Sequence, residues 1–254
     1  MTAGQDGRPG YANPIKAPGT DESRWRSWRG LAGLPEFPLP DAGRVVVVSA
    51  HPDDEVLGVG GTIAQLVASG VEVTVVSVTD GERSREGGRS VTERELARIR
   101  EAELRKALAE LGGAEVVRLT VPDTEVAFQE DEVIAALTRL LPGARLVLAP
   151  WIGDLHGDHE AAGRAALAAA RATGVTCRMY PVWMWHWASP DDDRVPWSSA
   201  ARVGLSATAL DRKRAAVGCF TSQITRLGPG PENAAVLPPD ELAHHLRDVE
   251  VLFE

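Results

Sequence analysis

Short apolar runs alternate with longer amphipathic segments along this chain, the pattern of strands and helices that follow one another. Five runs rich in β-branched residues predict strands at 44–50, 71–79, 115–119, 145–150 and 176–185. Segments with helical spacing follow these runs and predict helices at 61–70, 92–113, 131–141, 158–174 and 239–254. The alternation predicts an α/β fold of three layers, α/β/α, in which helices cover both faces of a mostly parallel sheet.

The first 40 residues differ in composition from the rest of the chain. They are rich in glycine, proline and charge, so we expect residues 1–40 to be a loosely ordered N-terminal extension and residues 41–254 to form a single domain. Trp25 and Trp28 lie three positions apart between arginines. This spacing favours a short helix whose tryptophans dock on the domain surface, and a partner or oligomer contact is the alternative.

Composition and charge exclude several classes of protein. The net charge of −9 argues against a nucleic-acid or anionic-membrane partner, because phosphate binding needs clustered cations. Cys177 and Cys219 form no C-x-x-C motif, which excludes thiolate zinc sites and redox motifs. Neither a signal-peptide pattern nor an apolar run near the roughly 18 residues of a membrane span occurs, so we expect a cytoplasmic protein.

Costly polar groups collect directly after two of the predicted strands. His51, Asp53, Asp54 and Glu55 follow the first strand in the stretch "AHPDDE". A second set follows the fourth strand in "APWIGDLHGDHEAAG", namely Asp154, His156, Asp158 and His159. In the common strand order 3-2-1-4-5 the first and fourth strands are neighbours at the switch point, where ligands bind. The two loops are therefore expected to face each other across one crevice.

Histidine and carboxylate side chains in such loops indicate a divalent metal site. Three protein ligands with one open position are what a hydrolytic zinc needs, and the ion lowers the pKa of water and polarises a carbonyl. A free carboxylate can then take the water proton, and a free histidine can protonate a leaving amine. Helix-capping aspartates and surface histidines are the alternative. The glycines of "GVGG" do not complete G-x-G-x-x-G, and no G-x-S-x-G or P-loop occurs.

The motifs "AHPDDE" and "HGDH" together resemble those of the GlcNAc-phosphatidylinositol de-N-acetylase family, also called PIG-L or LmbE-like. The resemblance covers roughly Val45 to Ala170. It implies a Rossmann-like fold, a zinc-dependent N-deacetylase and, for residues 41–254, a single deacetylase domain. Carried over by position, it implies metal ligation by His51, Asp54 and His159.

The resemblance also implies roles for the residues beside the ligands. Asp53 matches the general base, and His156 matches the histidine that stabilises the tetrahedral intermediate and assists amine departure. Asp158 matches a residue that orients a histidine. The side chains of Asp53 and Asp54 diverge because the two residues are adjacent, so one can bind the metal while the other faces the water. Glu55 is expected to satisfy backbone donors under the site.

Two further segments are candidates for the substrate side. The loop "TDGERSREGG" follows the second strand, and the resemblance makes Arg83 a candidate for sugar contacts, whereas a solvated loop with a mobile Gly87–Gly88 tip is the alternative. The tryptophans of "PVWMWHWASP" recur at period two on the predicted fifth strand, with His186 on the opposite face as a non-ligand. Trp185 of this set is a candidate for stacking on a sugar, and a core or subunit contact is the alternative. The segment 220–229, "FTSQITRLGP", is a further candidate to approach the pocket.

These observations favour a zinc-dependent hydrolase that removes an N-acetyl or short acyl group from a glucosamine-type amine. Fe²⁺ or another divalent metal suits the same ligands. Three alternatives stay open: an amidase acting on a sugar-thiol conjugate, a non-catalytic nucleotide-fold binding module, and a two-metal hydrolase such as a phosphoesterase. The expected partner is a small-molecule or glycoconjugate substrate, with no nucleic acid and no membrane span, and homo-oligomerisation is left open.

Overall fold

Five parallel strands form the central sheet of the computed structural model, which describes residues 13–84, 91–226, 228, 230 and 233–254. Their order across the sheet is β3-β2-β1-β4-β5, which confirms the predicted order. The strands are β1 (Arg44–Ser49), β2 (Glu72–Thr79), β3 (Glu115–Val121), β4 (Ala144–Pro150) and β5 (Thr176–Tyr180). Because β1 lies at the centre, its carboxyl end is flanked by those of β2 and β4.

Helices cover both faces of this sheet, as predicted. Those within the described residues are α1 (Glu22–Ser27), α2 (Gly30–Gly33), α3 (Asp54–Ala68), α4 (Glu93–Glu110), α5 (Glu130–Leu140), α6 (Gly157–Thr173), α7 (Met184–Trp187), α8 (Ala207–Val217), α9 (Thr221–Ile224) and α10 (Pro239–Ala243). Residues in α3, α4 and α8 pack on one face, and residues in α5 and α6 pack on the other. The chain therefore has the three-layer α/β/α fold that the sequence predicted.

The valines of β1 show why this strand lies in the interior. Side chains alternate between the two faces of a strand, so Val45 and Val47 enter one core cluster while Val46 and Val48 enter the other. All four are fully buried. A strand that is apolar on both faces is stable only when both faces are covered, which places β1 in the middle of the sheet.

The helix that follows β1 is interrupted after its first turn. Val59 has φ −139° and ψ 23°, outside the helical region, and this separates the first turn of α3 from its longer second part. The predicted end signals of two other helices hold. Thr92 and Glu95 form the predicted capping box at the start of α4, and α6 ends at Gly174 in the left-handed conformation.

The predicted fifth strand is too long, and its extension is wrong. Strand β5 ends at Tyr180, and the tryptophan-rich segment turns into α7 instead. Pro181 follows and offers no N–H to a neighbouring strand. The carboxylate of Asp154 then accepts hydrogen bonds from the amides of Val182, Trp183 and Met184, which winds the backbone into a turn. The tryptophans consequently do not share one strand face.

The predicted terminal helix is correct only at its start. Helix α10 stops at Ala243, and Val249–Leu252 forms β7, which pairs antiparallel with β6 (Ala201–Gly204). Val249 and Val251 alternate with Glu250 at period two, which suits a strand and not a helix. No helix in the described part of the chain is long and apolar enough to cross a membrane.

The described part of the N-terminal segment packs on the domain through Trp25. This residue is fully buried, and its Nε1 donates to the backbone oxygen of Trp185 at 2.8 Å. Glu22 in the same helix accepts hydrogen bonds from His244 Nδ1 at 2.8 Å and from the guanidinium of Arg247. Residues 1–12 lie outside the described residues, so the division at residue 40 stays a prediction.

The ion pairs of Glu22 generate a stability prediction. Burial alone would raise the pKa of Glu22, but the hydrogen bonds from His244 and Arg247 outweigh it and lower the pKa from 4.5 to about 2. The stabilisation is therefore complete above pH 4.5 and is lost as the pH falls towards 2. Glu22→Gln should lower the free energy of unfolding at pH 7 by about 1–3 kcal/mol, as measured by urea denaturation.

The difference between Glu22→Gln and wild type should shrink progressively below pH 4.5. The exposed substitution Glu132→Gln is the control and should change the free energy of unfolding by less than about 0.5 kcal/mol at both pH 3 and pH 7. A Glu22→Gln effect that is equally large at pH 3 and pH 7 would show that the carboxylate charge is not what holds α1 in place.

Candidate metal centre and active site

The two polar loops predicted to face each other do so, because β1 and β4 are adjacent and parallel. His51 follows β1 by two residues, and Asp54 begins α3. His159 lies in the first turn of α6, directly after β4 and its loop. All three are less than a tenth exposed. The sheet therefore brings residues that are about a hundred positions apart into one buried cluster.

The three predicted ligands present donor atoms at nearly equal spacing. His51 Nδ1 lies 3.4 Å from Asp54 Oδ2, and His159 Nε2 lies 3.3 Å from Asp54 Oδ1. The nitrogens His159 Nε2 and His51 Nδ1 are 3.3 Å apart. Ligand atoms of a tetrahedral zinc with bonds of about 2.0–2.1 Å are separated by about 3.3–3.4 Å. The two nitrogens and the carboxylate of Asp54, which faces each nitrogen with a different oxygen, are thus close enough together to serve as three protein ligands of a divalent metal.

Asp154 fixes the orientation of His159. Its Oδ2 lies 2.7 Å from His159 Nδ1, so Nδ1 donates to Asp154 and Nε2 faces Asp54. Burial lowers the pKa of His159, but the charges of Asp54 and Asp154 outweigh it and raise the pKa to about 9. The sequence placed Asp154 in the loop without giving it a role.

Two carboxylates meet the other nitrogen of His51. Its Nε2 lies 3.1 Å from Asp158 Oδ2 and 3.1 Å from Asp123 Oδ1, which leaves Nδ1 to face Asp54. Asp158 is itself held by the amides of Thr124 and Val126. Asp158 thus contacts a histidine, as the resemblance implied. Asp123 was missed, although its position directly after β3, at the same edge of the sheet, was a signal.

Asp53 lies beside the three donor atoms without joining them. Its Oδ2 is 3.0 Å from the guanidinium of Arg100, which also donates to Pro52 O and Gly81 O. Burial raises the pKa of Asp53 to about 6, and the charge of Arg100 limits the rise. Arg100 was also missed, although an arginine between Leu96 and Leu104 on the apolar stripe of α4 is the signal of a buried partner.

Backbone strain is concentrated around these residues. Among the described residues other than glycine, five have positive φ, and three of them adjoin or belong to the site: Asp53 (142°), Thr124 (70°) and Leu155 (60°). Such a conformation costs a non-glycine residue about 1–3 kcal/mol, which the surrounding structure must compensate. The first turn of α3 holds Asp53 in this conformation, because the carbonyl oxygen of Asp53 accepts hydrogen bonds from Val56 N and Leu57 N.

Two groups under and beside the cluster are buried with unsatisfied atoms. Glu55 is fully buried, and its Oε2 accepts from Asp53 N at 3.3 Å, in line with the predicted support of backbone donors. Burial raises its pKa to about 8. His156 precedes α6, and its Nδ1 finds no partner among the described residues. Burial and the neighbouring His159 and His51 lower the pKa of His156 to about 2.

A second grouping of possible ligands includes His156. One nitrogen from each of His51, His156 and His159 lies within 4.8 Å of the others, and the rings of His156 and His159 are 4.4 Å apart. A third group within the same limit consists of His51, Asp123 and Asp158. Both groups share His51 with the predicted ligand set. All their members line the same cavity except Asp158, which accepts a hydrogen bond from the lining residue Thr124.

A cavity of 340 Å³ opens over the cluster, a size typical of small-ligand pockets. Its polar lining includes Arg83, whose Nη1 donates to Asp123 O at 2.9 Å and to Glu125 Oε1 at 2.6 Å. Its apolar lining consists of Leu57, Val182, Trp183, Val236 and Leu237. Gln223 of the segment 220–229 also lines the cavity, whereas Gly87 and Gly88 lie outside the described residues.

The structure does not bring Trp185 to this cavity. Trp185 is buried against Trp25, with ring centroids 5.1 Å apart, and under Arg247. The turn of α7 points it into the tryptophan cluster, and Trp183 lines the cavity in its place. The assignment of Trp185 to the substrate is corrected accordingly. His186 contacts Glu241 and Ala17 O, and it lies in α7 instead of on the predicted strand.

Comparison with known proteins agrees with the motifs and the fold. The family model for GlcNAc-PI de-N-acetylase, PIG-L, matches residues 46–170. Diacetylchitobiose deacetylase of Thermococcus kodakarensis is 32% identical over 142 residues, 54% of this chain and 53% of that protein. The 1D-myo-inositol 2-acetamido-2-deoxy-alpha-D-glucopyranoside deacetylase of Actinosynnema mirum is 33% identical, over 54% of this chain and 58% of that protein. The chain thus spans little more than half the length of these curated relatives.

A solved structure extends the match over more of the chain. The conserved protein TT1542 from Thermus thermophilus is 31% identical, with a TM-score of 0.54, over 71% of this chain and 80% of that protein. The region matched by the family model, 46–170, contains both polar loops and every residue of the buried cluster. The chain therefore belongs to the GlcNAc-PI de-N-acetylase (PIG-L) family.

Proposed function

We propose that this protein is a metal-dependent N-deacetylase that removes an acetyl or short acyl group from a glucosamine-type amine. One observation carries the proposal: His51 Nδ1 and His159 Nε2 lie 3.3 Å apart beneath an open cavity, each within 3.4 Å of one oxygen of Asp54, with a further carboxylate beside them. A closed four-ligand site would serve structure, whereas three ligands leave a position for water or substrate. This geometry favours a hydrolase over a non-catalytic binding module.

The residues proposed to hold the metal are His51, Asp54 and His159, and zinc is the proposed ion. When bound, a divalent cation lowers the pKa of a water molecule and polarises the acyl carbonyl of the substrate. Two histidines and one carboxylate also suit Fe²⁺. The orienting bonds from Asp154 and Asp158 support the assignment, because ligand histidines commonly donate their other N–H to a carboxylate.

Asp53 is the proposed general base. Arg100 occupies its Oδ2, which leaves Oδ1 to accept a proton from the attacking water. As the carbon–nitrogen bond breaks, this proton passes to the departing amine, so that acetate and a free amine are the products. Burial raises the pKa of Asp53 to about 6, so the carboxylate is ionised at neutral pH and is more basic than an exposed aspartate, which suits a proton acceptor.

His156 is proposed to stabilise the oxygen of the tetrahedral intermediate. Its low pKa means that the ring enters the reaction neutral, so its N–H acts as a hydrogen-bond donor to the developing negative charge. Proton delivery to the amine is better suited to Asp53, which receives the proton at the start. The assistance that His156 gives to amine departure is then electrostatic.

The cavity supports an amino-sugar substrate. Arg83 and Gln223 offer hydrogen-bond groups to hydroxyls, and Trp183 adds an aromatic side chain to the lining. The names of both curated relatives contain an acetylated amino sugar. A sugar-thiol conjugate would undergo the same amide hydrolysis. We further propose a cytoplasmic location, which the two free cysteines, Cys177 and Cys219, support.

The metal assignment predicts different behaviour for a ligand and the base. His159→Ala should lose the metal during dialysis, because two remaining ligands bind it too weakly. Asp53→Ala should retain about one metal per chain but lose about 10²–10⁴-fold in kcat. Metal content by elemental analysis and steady-state rates measure both. Equal metal content and full activity in the two variants would contradict the assignment.

The contact between Arg100 and Asp53 predicts the acid limb of the pH–rate profile. In wild type, kcat/KM should fall as Asp53 takes up a proton, with an apparent pKa at or below about 6, because a bound cation can only lower the value. Arg100→Met removes a positive charge 3.0 Å away, so the limb should move up by about one pH unit.

The exposed substitution Arg98→Met on the same helix is the matched control and should leave the limb in place. A profile that is identical in wild type and in Arg100→Met, across pH 5 to 8, would rule out Asp53 as the group that titrates in it.

The substrate class is tested by release of primary amine. Purified, zinc-loaded protein should release amine from at least one member of a panel of N-acetylglucosaminides, acylated glycosides and acylated sugar-thiol conjugates. Asp53→Ala prepared in parallel is the control for contaminating activity. If the metal is bound but no member of the panel yields amine above this control, the proposed substrate class is wrong.

A further inference from the structure

A buried ion pair lies at the break in α3. Lys213 of α8 places its Nζ 2.7 Å from Glu250 Oε1 of β7. Lys213 is 1% exposed and Glu250 is 3% exposed. Neither residue lines the cavity, and neither belongs to the cluster around the candidate metal centre. Burying two charges is costly, so their position calls for a physical reason.

Each member of the pair binds a backbone group that the break sets free. In an unbroken helix the amide of Gly61 would donate to the carbonyl of Leu57. Here Lys213 Nζ donates to Leu57 O at 2.8 Å, and Glu250 Oε1 accepts from Gly61 N at 2.8 Å. Glu250 Oε2 also accepts from Thr62 N at 2.8 Å and from Thr62 Oγ1 at 2.6 Å. The ion pair therefore replaces the helix hydrogen bonds across the interruption.

The charges also suit the two helix ends that meet there. The ammonium lies at the carboxyl end of the first turn, and the carboxylate lies at the amino end of the second part of α3. Both placements are favourable for the helix dipole. Gly60 permits the approach of Lys213, since a Cβ at Gly60 would lie 3.3 Å from Lys213 Cγ, and Gly61 leaves room for Leu205, since a Cβ there would lie 2.3 Å from Leu205 Cδ1. The "GVGG" stretch thus serves close packing in this chain.

The first turn of α3, which this ion pair contacts, contains the proposed base and one proposed metal ligand. It begins at Asp53, with its strained φ of 142°, includes Asp54, and ends at Leu57 on the cavity wall. A single helical turn is unstable by itself, because nucleation costs more than one turn of hydrogen bonds returns. Its orientation must therefore come from contacts at its ends. Lys213 supplies such a contact at the carboxyl end.

We propose that Lys213 and Glu250 are positioning residues, which hold the first turn of α3 so that Asp54 keeps its ligand geometry and Asp53 stays beside Arg100. The inference rests on the proposed function, because it assigns the pair a role in metal binding and hydrolysis. A pair that served stability alone would lower the melting temperature when removed, and would leave metal affinity and kcat of the folded protein unchanged.

The test compares Lys213→Met and Glu250→Gln with Leu137→Ala, a core substitution on the opposite face of the sheet. The two pair variants should bind zinc about tenfold more weakly in a chelator competition and lose about tenfold in kcat, with KM within about threefold of wild type. Amide hydrogen exchange in residues 53–57 of the metal-free protein should become faster. Leu137→Ala should lower the melting temperature but change none of these three measurements.

Further variants keep the outcome decisive. Lys213→Arg retains the charge and the donor, so it should restore most of the zinc affinity. If the pair variants do not fold, Thr62→Val removes one hydrogen bond to Glu250 and should still weaken zinc binding by about threefold.

Two results have separate meanings. Folded pair variants with wild-type zinc affinity, kcat and exchange rates would overturn the positioning role. A wild-type protein that binds no zinc would instead overturn the proposed function, independently of the variants.

Discussion

Buried negative charge at the end of β1 is the constraint on which the rest of the site depends. Six carboxylates around the cluster are less than a tenth exposed: Asp53, Asp54, Glu55, Asp123, Asp154 and Asp158. Ionised groups in such surroundings must be paired or must bind a cation. Arg100 compensates part of this charge, and burial raises the pKa values of Asp53 and Glu55. A divalent ion held by His51, Asp54 and His159 would compensate more of it.

The fold meets this constraint by using a few groups twice. Asp154 orients His159 with one oxygen and, with both oxygens, binds the amides of residues 182–184 that form part of the cavity wall. Asp158 orients His51 and holds the loop after β3, which carries Asp123. The proposed metal ligands and the cavity wall are therefore positioned by the same carboxylates. A substitution of Asp154 or Asp158 should therefore disturb both the histidines and the cavity wall.

The sheet and the two polar loops could be predicted because the residues that indicate each of them are close together in the sequence. The apolar run of β1 and the motif that follows it determine which strand is central, and the adjacency of β1 and β4 follows from a common topology. Asp123 and Arg100 could not be assigned in this way, since their roles depend on how a loop and a helix pack across the sheet. The misplaced Trp185 has a similar cause: three backbone bonds to Asp154 turn a β-like sequence into a helix.

The central claim is that His51, Asp54 and His159 together hold one catalytic metal ion. Anomalous diffraction from crystals of the zinc-loaded protein tests it most directly. The account predicts a single strong peak within about 2.0–2.3 Å of His51 Nδ1, an Asp54 oxygen and His159 Nε2. A peak between His51 Nε2, Asp123 and Asp158 instead, or no ordered metal at all, would contradict it.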